Sequence, residues 1–213
     1  MTVVELSPGG GWYTEILAPV VRDGGRLYAA HYGMNSGNFQ RRSLGGFLRK
    51  LGDAPDIYDQ VVVTAIPEPG GPPMAPLNSA DLVVTFRNVH NWLTPDSGGE
   101  SGAVATFAEM YRVLKPGGVL GVVEHRWPDP ETEDPDAGNG YVSEERMIRL
   151  AGAAGFEFEA RSDHNANPAD THDHPNGVWT LPPELDVDEA EKDKYRRIGE
   201  SDRMVLKFRK PGN

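Results

Sequence analysis

The 213-residue sequence predicts an α/β fold, a doubly wound seven-stranded sheet that is mostly parallel, with an antiparallel last strand and helices on both faces. Short apolar runs alternate with helical patterns, which is typical of parallel, helix-covered sheets. The last two predicted strands are joined by a long polar segment without a helical crossover. The length fits one domain, 1–213, with a long loop insertion at about 163–201 between those strands.

The first half of the chain supplies four strands. Val3 to Leu6 is a short apolar run, and the next pattern predicts a helix that Gly24 and Gly25 stop. The apolar residues of that helix recur at helical spacing: Trp12, Ile16, Leu17, Val20 and Val21. Further strands are predicted at 25–32, 59–66 and 80–93, the last running into a loop, with a helix at 37–52 and a Pro/Gly-rich loop at 67–76.

The second half supplies the remaining three strands. A helix is predicted at 103–118 and ends in Lys-Pro-Gly-Gly, because proline cannot continue the hydrogen-bond ladder. A strand follows at 119–127, and Ser143 is a suitable N-cap for the next helix. The segments EFEARSD and DRMVLKFRK predict the last two strands, and the acidic stretch 129–140 predicts a solvated loop.

Composition excludes several classes of function. The sequence has no cysteine, so disulfides, thiolate metal sites and thiol nucleophiles are excluded. Its formal charge of −11 disfavours nonspecific binding to nucleic acid or anionic membranes. No apolar run reaches the ~18 residues of a membrane span, and no signal peptide is visible. We therefore expect a cytoplasmic protein without nucleic-acid or membrane partners. The first strand begins almost at Met1, which leaves open whether a further segment precedes it.

The stretch VVELSPGGGWYTEIL, residues 3–17, combines a strand, a glycine turn and a helix start. Such a turn lets a nucleotide cofactor approach the backbone closely at the carboxyl end of the strand. In dinucleotide enzymes the helix N–H groups bind pyrophosphate. Glu5 disfavours a phosphate beside it and suits a cofactor that carries an ammonium and a sulfonium. The alternative is an ordinary glycine-rich turn between a strand and a helix.

Three segments together resemble the class I S-adenosylmethionine-dependent methyltransferases. VVELSPGGG resembles their first motif, ADLVVTFRNVHNWL their fourth-strand motif, and FAEMYRVLKPGGVLGVVEHR their helix, Lys-Pro-Gly-Gly and fifth strand. The resemblance covers roughly residues 1–162 and the final strand. It implies a Rossmann-like fold, S-adenosyl-L-methionine as cofactor and methyl transfer to a small-molecule acceptor. The sequence is similar to a bacterial group of predicted methyltransferases.

The resemblance also assigns cofactor-binding positions. They are Glu5, Ser7, Pro8, Gly9 and Gly11 in the first motif, His31 and Tyr32 after strand two, Thr64 near the end of strand three, and Arg87 and Asn88 after strand four. His31 and Thr64 stand where the family usually has carboxylates for the ribose and the adenine. This departure motivates an alternative function, a methyltransferase-like binding or regulatory module with weak or no catalysis.

Two histidines follow predicted strands, where ligands bind in open parallel sheets. His90 and His125 are the candidate catalytic residues, because an imidazole can accept a proton from the acceptor at neutral pH. The alternative is that each ring only hydrogen-bonds its own loop. Trp92 and Arg126 are candidate substrate residues, for a pocket wall and an anionic group. Trp92 is as readily a core residue, and Arg126 is as readily a partner of Glu124.

The polar segment before the last strand is rich in histidine and aspartate. Its members are Asp163, His164, Asp170, His172, Asp173 and His174. Asp170, His172 and His174 could ligate a metal, but their spacing matches no recognised metal motif. We favour a loop that covers the substrate and predict no metal. A nicotinamide-dependent oxidoreductase is disfavoured by Glu5, and the oligomeric state, including a homodimer, stays open.

Overall fold

The computed structural model describes residues 1–68 and 71–212. Residues 69–70, part of the predicted Pro/Gly-rich loop, lie outside the described residues. The chain divides into two compact units. The first comprises Met1–Phe86, Ala108–Gly121 and the residues from Arg209 on, and the second comprises Arg87–Phe107 and Val122–Phe208. The single domain predicted from the sequence stays a prediction.

The elements alternate as the sequence predicts. The strands are β1 (Thr2–Leu6), β2 (Arg26–His31), β3 (Val61–Ala65), β4 (Ala80–Phe86), β5 (Leu114–Trp127), β6 (Val142–Ser143), β7 (Glu157–Ser162) and β8 (Arg203–Arg209). The α-helices are α1 (Thr14–Val21), α2 (Asn38–Asp53), α3 (Pro55–Tyr58), α4 (Val89–Trp92), α5 (Gly99–Val113), α6 (Glu144–Ala153) and α7 (Lys192–Ile198). Two 3-10 helices lie at Pro95–Ser97 and Gly177–Thr180.

The strand order is β3-β2-β1-β4-β5-β8-β7, and the short strand β6 pairs with β5. β1 pairs in parallel with β2 and β4, and β2 pairs in parallel with β3. Gly117 N–H donates to the carbonyl of Lys210, whereas Arg126 N–H donates to that of Asp202, so β8 runs antiparallel to β5. The predicted mostly parallel sheet with an antiparallel last strand is therefore confirmed. No helix in the described residues is long and apolar enough to cross a bilayer.

The register of the first unit aligns its strand ends. Leu6 pairs with Ala30 and Thr85, and Ala30 pairs with Thr64. The residues that follow these positions therefore lie along one edge of the sheet. A core cluster of the first unit packs α1 and α3 on the strands through Val3, Ala18, Val21, Leu27, Tyr58 and Val84.

The helical pattern correctly predicts α1, but only Leu17 and Val21 of its apolar residues pack against the core. Trp12, Ile16 and Val20 are 65%, 54% and 67% exposed. The residues of α1 that face the core are Thr14, Ala18 and Val21, at the spacing of one helix face. Ile16 and Val20 of this helix therefore point away from the core, whereas Leu17 packs against it.

The Lys-Pro-Gly-Gly sequence lies in a strand, not in the end of the predicted helix. α5 runs from Gly99 to Val113, and β5 begins at Leu114. A side chain at Gly118 would lie 2.9 Å from the carbonyl oxygen of Lys115, so glycine is required by the close approach of the backbone. The loop predicted after the fourth strand contains the short helix α4 instead. The predicted N-cap is confirmed, since Ser143 Oγ accepts from Arg146 N–H at 3.2 Å.

The His/Asp-rich segment of the second unit is organised by one buried carboxylate. Asp170 accepts hydrogen bonds from the hydroxyl of Tyr141 (2.9 Å) and from the main-chain N–H of His172 (3.0 Å) and Asp202 (2.7 Å). Nε2 of His174 lies 2.8 Å from the same carboxylate. Asp170 and His174 therefore have a structural role, since their hydrogen bonds hold the segment in place.

Lys210 anchors the junction of α5 and β5. Its Nζ donates to the carbonyls of Tyr111 (2.9 Å) and Leu114 (2.7 Å) and to Asn78 Oδ1 (2.9 Å). We expect Lys210→Met to lower the free energy of unfolding by about 1–3 kcal/mol, because buried acceptors lose their donor. Lys207→Met, which breaks a more exposed pair with Glu159, should change it by less than about 1 kcal/mol. Urea unfolding of both variants measures the difference, and equal losses would contradict the anchoring role.

Candidate functional site

The glycine turn after β1 is open on one side and packed on the other. Ser7, Gly9 and Gly11 have positive φ angles of 59°, 56° and 80°. A side-chain carbon at Gly9 or Gly10 would meet nothing within 4 Å. At Gly11 it would lie 3.0 Å from the ring of Phe47 on α2. Free space for a ligand therefore borders the first two glycines, whereas the third packs against the protein.

Glu5 lies in β1 beside this turn and is an incompletely paired carboxylate. It is 1% exposed, and Oε2 accepts a hydrogen bond from Thr14 Oγ1 at 2.6 Å. Oε1 is buried and has no hydrogen-bond partner in the described chain. Burial raises the pKa of Glu5 to about 7, although the Thr14 hydrogen bond and the charge of Lys50 lower it. Such an oxygen suits a cationic hydrogen-bond donor.

His31 fastens the turn to the end of β2. Nε2 lies 3.0 Å from the carbonyl oxygen of Gly9, and Nδ1 accepts from Tyr32 N–H at 2.7 Å. The ring also lies 5.1 Å from that of Phe47. Burial lowers the pKa of His31, which favours a neutral ring that donates from Nε2 and accepts at Nδ1. Both ring nitrogens are thus engaged within the protein, a role that sequence reasoning missed.

Thr64, the other substituted position, is also engaged. Its Oγ1 donates to the carbonyl of Met74 at 2.8 Å and so fixes the segment after β3. Burial raises the pKa of the neighbouring candidate Tyr32, which keeps its hydroxyl protonated. His31 and Thr64, which stand where the family usually has carboxylates, therefore hydrogen-bond main-chain groups of the protein itself.

The second unit begins with the residues that follow β4. Arg87 has a positive φ of 58°, and its N–H donates to the carbonyl of Val123 at 2.7 Å. Asn88 occupies the N-cap position of α4. This backbone conformation is uncommon for arginine and turns the chain sharply into α4.

His90 and Glu124 form a buried pair in the second unit. His90 Nδ1 lies 3.1 Å from Glu124 Oε1, and Oε2 of the carboxylate accepts from Val89 N–H at 2.5 Å. Oε1 also accepts from His125 N–H at 2.9 Å. Burial alone would raise the pKa of Glu124, but His90 and these hydrogen bonds hold it below its ordinary value. Glu124 is therefore an ionised carboxylate with donors on both oxygens.

His125 lies against the same pair. Its ring centroid is 5.6 Å from that of His90, and Nδ1 lies 2.5 Å from Ser201 Oγ. Burial lowers the pKa of His125 to about 3, so the ring is neutral near pH 7. The edge of Trp179 packs on His90, with ring centroids 5.8 Å apart. The two predicted histidines thus lie together. The low pKa of His125 makes its ring a weak proton acceptor near pH 7, so this ring is better suited to donating a lone pair.

Comparison with known proteins shows the fold. No family model and no curated protein matches the chain. A SAM-dependent methyltransferase from Aquifex aeolicus matches with a TM-score of 0.62 at 15% identity, over 99% of this chain and 82% of that one. The N-methyltransferase NodS from Bradyrhizobium japonicum, solved with S-adenosyl-L-homocysteine, matches with a TM-score of 0.58 at 16% identity, over 99% and 78%.

The chain has the fold of the class I SAM-dependent methyltransferases. The [4+2]-cyclase SpnF also matches, with a TM-score of 0.66 at 17% identity, over 100% of this chain and 75% of that one. A protein named for a different reaction therefore shares the methyltransferase fold, and the reaction has to be argued from the side chains of the site.

The two predicted substrate residues of this methyltransferase fold have partners within the second unit. Trp92 packs edge-on against Phe107 of α5, with centroids 5.6 Å apart. Arg126 donates from Nε and Nη2 to both oxygens of Asp202, and from Nη1 to Asp163, each at 2.9 Å. Glu124, the partner considered from the sequence, is bound to His90 instead. Arg126 therefore forms ion pairs with Asp163 and Asp202, and these pairs explain its position without a bound substrate.

Sequence reasoning missed four residues that complete these sites. They are Thr14, Phe47, Lys50 and Ser201. Thr14 is the third residue after the glycines and lies one helix turn from Ala18, so the start of α1 carried a usable signal. Ser201 contacts a residue 76 positions away in the chain, and no local pattern indicates that contact.

The raised pKa of Glu5 predicts a pH-dependent stability. The carboxyl has a pKa of about 7 in the folded chain and an ordinary value of 4.5, so the folded state binds the proton more tightly. Stability from Glu5 is therefore full below about pH 4.5 and is lost as the pH rises to about 7, by up to about 3 kcal/mol. Glu5→Gln should remove this loss. Unfolding of both proteins across this pH range measures the difference, and parallel profiles would contradict the assignment.

The fastening role of His31 predicts a loss of stability on substitution. His31→Phe keeps a ring beside Phe47 but leaves the Gly9 carbonyl and the Tyr32 N–H without their partner. We expect the free energy of unfolding to fall by about 1–3 kcal/mol. His164→Phe, at an exposed histidine, is the matched control and should change it by less than about 0.5 kcal/mol. An unchanged midpoint of chemical denaturation for His31→Phe would contradict the role.

Proposed function

We propose that the protein transfers a methyl group from S-adenosyl-L-methionine to a small-molecule acceptor. The observation that carries this proposal is the buried, unpartnered Oε1 of Glu5 beside the open glycine turn. A carboxylate at this place matches the ammonium group of the cofactor and repels phosphate. The fold, which NodS shares, supports the same conclusion. A bacterial, cytoplasmic setting is part of the proposal.

The residues of the first unit fit the cofactor. Glu5 would accept from its ammonium group, while Ser7, Pro8, Gly9 and Gly11 shape the turn against which it lies. Tyr32 and Thr64 follow at the ends of the neighbouring strands, and His31 keeps the Gly9 carbonyl in place. When bound, the cofactor supplies an electrophilic methyl group on its sulfonium.

The residues of the second unit supply groups for the acceptor. We propose that His90 takes up the acceptor's proton or binds the acceptor, and that His125 binds the acceptor, because both rings are held by a hydrogen bond through Nδ1. The main-chain groups of Arg87 and Asn88 are proposed for the methionine end of the cofactor. The atom that receives the methyl group, O, N, S or C, is open.

A second candidate is a methyltransferase-like binding or regulatory module. It is favoured by one observation, that His31 and Thr64 are both hydrogen-bonded within the chain. Neither side chain then replaces the missing carboxylates. Calorimetric titration with S-adenosylmethionine, S-adenosylhomocysteine and NAD tests both candidates. Tight binding of the first two supports the methyltransferase, and the absence of binding to a folded protein contradicts it.

We expect Glu5→Gln to weaken S-adenosylhomocysteine binding by about 10–100-fold, since a hydrogen bond between charged groups is lost. Gly10→Val should also weaken binding, because its side chain enters the open space beside the turn. Gly45→Val, at an exposed glycine of α2 that also has open space around it, is the matched control and should bind normally. Titration calorimetry on the three folded variants measures the effect. Wild-type affinity in Glu5→Gln would remove Glu5 from the site.

A further inference from the structure

We propose that His90, Glu124 and His125 bind one divalent transition-metal ion of the zinc class. Each of the three side chains offers a ligand atom, and these atoms all lie within 4.8 Å of one another. All three residues are buried, at 5%, 0% and 7% exposure. The set considered in the sequence analysis, Asp170 with His172 and His174, does not bring three ligand atoms this close together within the described residues.

The spacing of one ligand pair is close to that of a zinc site. His90 Nδ1 and Glu124 Oε1 are 3.1 Å apart, within hydrogen-bond distance. In a tetrahedral zinc site with bonds of about 2.0–2.2 Å, neighbouring ligand atoms lie about 3.3–3.6 Å apart. An ion can therefore replace the hydrogen bond of this pair with a small movement of the two side chains.

The three ligands are oriented by further hydrogen bonds, as metal ligands usually are. The N–H groups of Val89 and His125 fix the two oxygens of Glu124 at 2.5 and 2.9 Å. Ser201 Oγ, 2.5 Å from Nδ1, fixes the ring of His125. This second set of contacts keeps the donors convergent before any ion arrives, which lowers the entropic penalty of assembling the site.

The donor set selects the class of metal. Two imidazoles and one carboxylate suit Zn²⁺ and also Co²⁺ or Ni²⁺, whereas Mg²⁺ and Ca²⁺ prefer oxygen ligands only. Three protein ligands leave a fourth position for water or for a substrate atom. A role for the ion in catalysis rests on the proposed function. An acceptor hydroxyl bound at the fourth position would release its proton to solvent more readily, and the histidines would then serve as ligands.

Metal binding is measurable without knowledge of the acceptor. The full chain is treated with EDTA, dialysed and titrated with ZnCl₂ in a calorimeter, and CoCl₂ is added separately to record the visible absorption of four-coordinate Co²⁺. We expect one equivalent of each ion and an increase in the thermal unfolding temperature with Zn²⁺. His90→Asn and His125→Asn should each weaken Zn²⁺ binding by about 10–100-fold or more. His164→Asn, at an exposed histidine, should bind as the wild type does.

Glu124 also accepts a hydrogen bond from Val89 N–H at the start of α4. The variant Glu124→Gln is therefore preferred to Glu124→Ala, because the glutamine amide oxygen can still accept that hydrogen bond. Circular dichroism confirms that each variant is folded. The proposal is overturned if the wild type binds no Zn²⁺, or if the doubly substituted His90→Asn, His125→Asn protein binds it equally well. S-adenosylhomocysteine is titrated into the same preparations. If the protein binds S-adenosylhomocysteine but does not bind Zn²⁺, only the metal site is refuted. If it binds Zn²⁺ but does not bind S-adenosylhomocysteine, only the proposed cofactor is refuted.

Discussion

A carboxylate inside a protein must find hydrogen-bond donors or take up a proton, and Asp170, Glu124 and Glu5 meet this constraint in different ways. Asp170 is surrounded by four donors and organises the segment before the last strand. Glu124 has donors on both oxygens and stays ionised. Glu5 has one donor, Thr14, and its pKa rises to about 7. Glu5 is therefore the incomplete group, and it lies beside the glycine turn.

The incompleteness of Glu5 links ligand binding to folding. In the ligand-free chain the buried carboxyl lowers stability as it ionises. A cation that pairs with Oε1 removes that loss, so a ligand that binds the folded state alone also stabilises it. The rest of the turn is well fixed, because His31 holds Gly9, and Phe47 packs against Gly11. A turn fixed in this way beside one incompletely paired carboxyl is the arrangement that the proposed cofactor site requires.

The sequence predicted the layers of the fold more completely than the contacts of the site. The alternation of apolar runs and helical patterns indicated the parallel sheet, and the end of the chain indicated the antiparallel β8. The exposed face of α1 was not predictable, because Ile16 and Val20 fit a helical pattern equally well whether that face is covered or not. Lys-Pro-Gly-Gly was assigned to a helix end because proline and glycine stop helices. The structure uses the same residues to open β5, where Gly118 permits a close backbone approach.

Site contacts depend on residues that are distant in sequence, and a single chain gives no local signal for them. Glu124 was one of two partners considered for Arg126, two positions away, but it pairs with His90, 34 positions away, while Arg126 pairs with Asp202. Residues i and i+2 of a strand lie on the same face, so the strand pattern allowed this pair, but each side chain has a partner that comes from elsewhere in the fold. The positions of His90 and His125 after their strands were predictable, because strand ends are recognisable. Only the structure shows that both residues contact the same carboxylate, that of Glu124.

The two substituted carboxylate positions change how the proposed cofactor would be recognised. His31 cannot hydrogen-bond a ribose without giving up the Gly9 carbonyl or the Tyr32 N–H, and Thr64 is committed to Met74. In the proposed site, recognition of the nucleoside end of the cofactor would therefore be reduced, and Glu5 would provide most of the discrimination between cofactors. Because an ionised Glu5 attracts an ammonium and repels a phosphate, charge alone would separate S-adenosylmethionine from the dinucleotides that other glycine turns of this kind bind. A site that relies on one titratable carboxylate in this way binds its cofactor better above the pKa of that group than below it.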